Sequence, residues 1–301
     1  MRRLALKIDV DTYRGTQTGV PHLAEILKRY DAGATFLFSL GPDHTGRALR
    51  RALRPGFMKK VSRTSVLEHY GWKTLLYGTL LPGPDIGRLC APLLRDIAAQ
   101  GFETGIHTYD HVKWQDNVVG QSRDWTVTEM NKAYERFHEV FGATPTTHGA
   151  AGWQMNEAAY HQERRWRLAY CSDTRGTHPF IPRLADGSRG CPQLPTTLPT
   201  LDELIGTGNI DQNNVAEVLL GLTAEETPWG HVYTLHAELE GMKLAPILEQ
   251  LLQGWRAQDY EFVSLADYFA ALDIAQLPVL SIIQGSVAGR SGTLALQGPA
   301  L

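Results

Sequence analysis

Cysteine is scarce: Cys90, Cys171 and Cys191 are the only three among 301 residues. They are scattered and odd in number, which excludes a disulfide framework and a cysteine zinc site and fits a reducing compartment. Long apolar runs are also missing. No stretch approaches the ~18 residues that a membrane span requires. The opening MRRLALKIDV leaves no room for a cleaved leader before the first acidic residue, Asp9, so a cytoplasmic location is expected. A formal charge of −3 carries no nucleic-acid signal, so no such partner is expected. There is no glycine fingerprint for a dinucleotide and no internal repeat.

What is present is a sizeable apolar fraction, 43%, enough for one large core or two small ones. The segments LALKIDV, ATFLFSLG, FETGIH and GHVYTLHAELEG read as strands. Between them, stretches such as GVPHLAEILKRYDAG, CAPLLRDIAAQG and DWTVTEMNKAYERFHEVFG have helical spacing, the last with Asp124 or Thr126 as its cap. Alternating strands and helices argue for parallel α/β. Polar residues gather where these strands end: Asp9 and Asp11, His107, His148, Asp173 and His236. In a β/α barrel that end carries the active site; an open doubly wound sheet is the alternative. Residues 174–230 read as long loops over the barrel mouth, and the tail from about Leu277 as partly disordered.

Two motifs carry chemistry. Asp9 and Asp11 stand two apart on a strand, hence on one face, where like charges repel unless a cation lies near or one carboxylate serves as a base. In HTYDH, His107 and His111 are four apart. On one helical turn, or on a turn leaving a strand, both imidazoles can face one point. Two histidines and a carboxylate, for which Asp11 is a good candidate, leave open positions on a divalent metal. The donor set accepts zinc, cobalt, manganese or iron.

The order Asp-x-Asp, HTxxH and a late Leu-His on a strand resembles the polysaccharide deacetylase (NodB-homology) family, over residues 3 to about 273. LKIDVDTYRGT, GIHTYDHVKWQD, THGAAGWQMNE and YCSDTRGTHPF are similar to a bacterial branch of it that removes a formyl group from 4-deoxy-4-formamido-L-arabinose on undecaprenyl phosphate. That product supplies the aminoarabinose placed on lipid A, which lowers the affinity of cationic peptides such as polymyxin. The resemblance implies a distorted seven-stranded (β/α) barrel, with a catalytic domain over 1–275, an insertion around 41–88 and a tail over 276–301. It implies Asp9 as general base, Asp11, His107 and His111 as metal ligands, and His236 as general acid with Asp173 orienting it. Where the resemblance implies an arginine that positions the base, the matching THGAAGW carries His148, which becomes the candidate for that role. Alternatives are deacetylation of another N-acylated sugar and a non-catalytic sugar-lipid binder.

The implied substrate is membrane-borne. From Arg47 to Arg63 the chain has seven basic residues and no acidic one, followed by the aromatic and aliphatic VLEHYGWKTLLYGTLLPGP. This pattern suits docking on the anionic inner face of the inner membrane, and equally a solvated basic helix leading into the core.

Overall fold

The computed structural model describes residues 2–48, 73–290 and 292–300. It is organised around β1 (Arg2–Val10), whose residues from Leu4 onward are all buried. The strand alternates. Leu4, Leu6, Ile8 and Val10 join the main core with Leu23, Ile26 and Leu27 of helix α1 (Val20–Arg29), while Ala5 packs in a separate cluster. Lys7 and Asp9 share the parity of Ala5.

Further parallel strands follow: β2 (Thr35–Ser39), β3 (Glu103–Thr108), β4 (Thr147–His148) and β5 (Tyr170–Cys171). After β6 (Ile181–Pro182) come β7 (His231–His236) and β8 (Tyr260–Val263). The sheet runs β5-β4-β3-β2-β1-β7, with β8 also on β1, making seven strands among the described residues. β8 pairs with Arg2–Ala5, and β2 takes over from Lys7. Between β5 and β7 an irregular segment closes the circuit: Leu194 N–H donates to Cys171 O at 2.8 Å and Thr197 N–H to Val232 O at 3.0 Å. The result is the distorted barrel, not the open sheet.

Outside the strands lie α2 (Ala91–Ala99), α3 (His111–Asn117), α4 (Arg123–Phe141), α5 (Glu157–Trp166), α6 (Val215–Leu222), α7 (Ala245–Ala257) and α8 (Leu265–Ala270). Helix α4 begins two to four residues earlier than expected. Its cap is Ser122, whose Oγ accepts from Trp125 N–H at 3.3 Å, rather than Asp124 or Thr126. α6 interrupts the stretch read as loops.

The expectation of a partly disordered tail is corrected. Val279–Gly285 forms β9 and Leu294–Ala300 forms β10, an antiparallel pair that joins β6 in a three-stranded sheet. Leu294 and Ala295 are buried. The tail's partner is a two-residue strand about a hundred residues upstream, which periodicity cannot reveal. Of the expected insertion, 49–72 lie outside the described residues. No helix among the described residues is long and apolar enough to cross a membrane.

Candidate active site

The sheet register assembles the site. Asp9 on β1 is paired with His236 on β7, so these two side chains stand beside each other on adjacent parallel strands. β3 enters from the other side of β2, and its pairing slips between Ile106 and Thr108, at His107. Bulges of this kind re-aim side chains next to active sites. His111 then opens α3, whose cap Asp110 accepts from Lys113 N–H at 3.1 Å. HTYDH is therefore a turn leaving a strand, with the imidazoles 5.4 Å apart and nearly parallel.

Both histidines converge on one carboxylate oxygen. Asp11 Oδ1 lies 3.2 Å from His107 Nε2 and 3.4 Å from His111 Nε2. His107 Nδ1 is 2.6 Å from Gly149 O. A carbonyl only accepts, so Nδ1 carries the proton and Nε2 presents its lone pair, as in metal-binding histidines. Burial pushes the Asp11 carboxyl up, but His111 and His107 outweigh it and hold the group well below the usual carboxylate range. Asp11 Oδ1 is buried with no hydrogen-bond partner. A carboxylate oxygen without a hydrogen-bond partner, facing a nitrogen of each of two imidazoles, fits a divalent cation, and these three side chains form one of the clusters able to hold one.

Other buried atoms without partners gather here: Asp9 Oδ1, His236 Nδ1 and Glu238 Oε2. Asp9 Oδ1 is 3.7 Å from His107 Nδ1. Burial pulls the His236 imidazole down, yet Asp202, Asp11 and Glu240 outweigh it and raise its pKa. Glu240 Oε2 accepts from His236 N–H at 2.9 Å.

Asp173 was expected beside His236. The structure gives it to His148: Nδ1 of His148 is 2.8 Å from both Asp173 Oδ1 and Glu163 Oε1. Asp173 Oδ1 also accepts from Ala150 N–H, and its Oδ2 from Gln193 Nε2 at 2.9 Å. Burial opposes charge on His148, but the two carboxylates win and lift it to about 10. Glu163 is pushed far up by burial and by Asp173. His148 thus belongs to a buried triad, and the cation beside Asp9 is Lys7, with Nζ 3.6 Å from Asp9 Oδ2.

Sequence reasoning missed Lys7 and Glu238. Strand parity was the available signal for Lys7, two residues before Asp9. For Glu238 it was position, two residues past His236. Glu238 Oε1 accepts from Asp11 N–H at 3.1 Å and from Thr12 N–H and Oγ1, each at 2.8 Å. It ties the Asp11 turn to the end of β7. Burial and the neighbouring Asp11 raise it to about 8.

A family model described as polysaccharide deacetylase matches residues 2–170. A Shewanella sediminis protein named a probable 4-deoxy-4-formamido-L-arabinose-phosphoundecaprenol deformylase, ArnD, is 39% identical over 296 residues, 98% of this chain and 94% of that one. Its namesake from Wigglesworthia glossinidia brevipalpis is 32% identical, covering 94% of this chain and 98% of that one. The fold is similar to a probable polysaccharide deacetylase from Pseudomonas aeruginosa, with TM-score 0.57, 14% identity and 89% and 90% of the two chains covered. It is also similar to a Clostridium thermocellum family 4 acetyl xylan esterase solved with a cobalt ion, with TM-score 0.50, 12% identity and 89% and 91% covered. With the family's barrel, its motifs in order and a matching model over more than half of its length, this chain belongs to the polysaccharide deacetylase family.

Proposed function

We propose that this amide hydrolase removes formyl from 4-deoxy-4-formamido-L-arabinose linked to undecaprenyl phosphate, with a divalent metal held by Asp11, His107 and His111. The observation that carries the chemistry is the convergence of His107 and His111 Nε2 on the unpartnered Asp11 Oδ1. The choice of substrate draws on the two relatives named as deformylases of that lipid, similar over nearly the whole chain.

A divalent ion in that site supplies Lewis-acid polarisation of the amide carbonyl and acidifies a water molecule. Asp9 accepts a proton from the attacking water through Oδ1. His236, adjacent to Asp9 on the next strand, delivers a proton to the departing sugar nitrogen. Its raised pKa suits the donor role at neutral pH. The C–N bond breaks, water's oxygen ends on carbon, and formate and the sugar amine leave. Glu238 and Glu240 hold the two strand ends that carry Asp11 and His236.

A lipid-linked sugar calls for work at the membrane surface, on the inner face of the inner membrane. Leu80, inside the expected insertion 41–88, and Leu89, just past it, are 80% and 58% exposed and support an interfacial role there. The product fits the supply of aminoarabinose for lipid A and so resistance to polymyxin. The test is mass spectrometry of the lipid-linked sugar after incubation with metal-loaded and chelated protein. Loss of the formyl mass with the loaded protein alone is expected; an active metal-free protein overturns the metal assignment. Release of acetate from an N-acetyl sugar, with none of formate from the formamido lipid, overturns the substrate.

A further inference from the structure

Lys7 is fully buried, deep in the barrel. A buried cation is costly unless it is paired and hydrogen-bonded. Its Nζ donates to Ser172 O at 2.8 Å, stands 5.3 Å from the centre of the Trp153 ring and lies 3.6 Å from Asp9 Oδ2. The two oxygens of Asp9 are thereby made unlike. Oδ2 faces the ammonium, while Oδ1 is buried, unpartnered and turned to the His107 side.

Space for the ammonium comes from Gly149. A Cβ there would stand 3.1 Å from Lys7 Cε, 3.3 Å from Lys7 Nζ and 2.4 Å from Leu37 Cδ1. The same residue's carbonyl fixes the His107 tautomer. One glycine thus seats the lysine and orients a metal ligand.

We propose that Lys7, admitted by the missing side chain of Gly149, is a positioning residue that anchors Asp9 Oδ2 and so presents Oδ1 to the substrate water. It touches neither substrate nor metal and acts through Asp9. The inference rests on the reading of Asp9 as the base in amide hydrolysis.

The test uses the full-length, metal-loaded protein and formate release from the formamido lipid. Lys7→Met and Lys7→Gln are compared with wild type for kcat, KM, bound metal and melting temperature. Lys7→Gln keeps a donor for Ser172 O without the charge. Both variants are expected to lose kcat by about 10²-fold, with KM within about twofold and one metal per chain retained. Gly149→Ala, which crowds Leu37 as well as Lys7, is expected to cost kcat about tenfold when Lys7 is present and less in Lys7→Gln. A Lys7→Gln protein within twofold of wild-type kcat overturns the proposal. So does loss of activity that only tracks loss of metal or of folded protein. If neither lysine variant folds, Gly149→Ala decides: metal-loaded with unchanged kcat, it overturns the proposal. A wild-type protein that releases no formate overturns the substrate reading instead, which keeps the two failures apart.

Discussion

Asp9, one residue before the end of β1, and Asp11, just past it, are the same residue type, and their surroundings separate them. Asp11 meets two imidazole nitrogens at 3.2 and 3.4 Å. Asp9 meets an ammonium on one side and the His107 ring, through its protonated nitrogen, on the other. The amide in place of the Asp9 carboxylate keeps its shape and removes its basicity. Asp9→Asn is therefore expected to bind metal at wild-type stoichiometry, by elemental analysis, and to lose kcat by about 10²- to 10⁴-fold. Truncating a ligand acts differently: His107→Ala should lose metal and turnover together. Turnover by Asp9→Asn at the wild-type rate would mean that the proton goes elsewhere.

The triad His148, Glu163 and Asp173 joins three elements, β4, α5 and the turn after β5. One imidazole nitrogen between two carboxylates holds them together only with protons in the right places. His148, lifted from 6.5 to about 10, contributes stability that is complete below pH 6.5 and lost as pH rises through about 10. Glu163, pushed well up by burial and by Asp173, resists charging as pH rises, which has the same sign. Asp173, held below 3.8 despite burial because of His148, contributes above that value and loses its contribution in acid. Denaturant unfolding should therefore show stability falling between pH 6.5 and 10. Glu163→Gln, which mimics the neutral acid, should fold normally at pH 6.5 and decline less steeply towards pH 10. An equal slope in the variant would put the charge change elsewhere.

For the molecule as a unit, the C-terminal strands form, with β6, a second sheet tied to the end of β5 beside the barrel. Arg175, just past β5, exchanges backbone bonds with β10, donating to Ala295 O at 2.9 Å and accepting from Gln297 N–H at 2.8 Å. Arg290, between β9 and β10, reaches Glu203 Oε1 at 2.8 Å, and Arg175 reaches the same oxygen at 2.5 Å. Leu277, Leu280 and Leu294 are buried. At roughly 1.5–3 kcal/mol for each buried leucine, deleting 277–301 should remove several kcal/mol, a large fraction of the stability of an ordinary domain. Urea unfolding of the truncated chain measures this; an unchanged midpoint would make the tail dispensable. The membrane reading is tested on the whole protein too. Neutralising Arg50, Arg51, Lys59 and Lys60, which lie outside the described residues, should lower flotation with anionic liposomes at low salt. Equal flotation would reject electrostatic docking.

Much of the site was legible along the chain because it depends on local rules. Parity put Asp9 and Asp11 on one face, and the four-residue spacing of His107 and His111 survives the passage from strand to helix. Alternating strands and helices announced a parallel α/β fold with polar strand ends, and the family resemblance made it a barrel. What sequence spacing could not supply was which distant groups meet. Asp173 faces His148 and not His236, and the tail finds β6, because these pairings follow from register and closure of the sheet. Side chains 25 to 226 residues apart come within 4 Å only after the strands have chosen their neighbours.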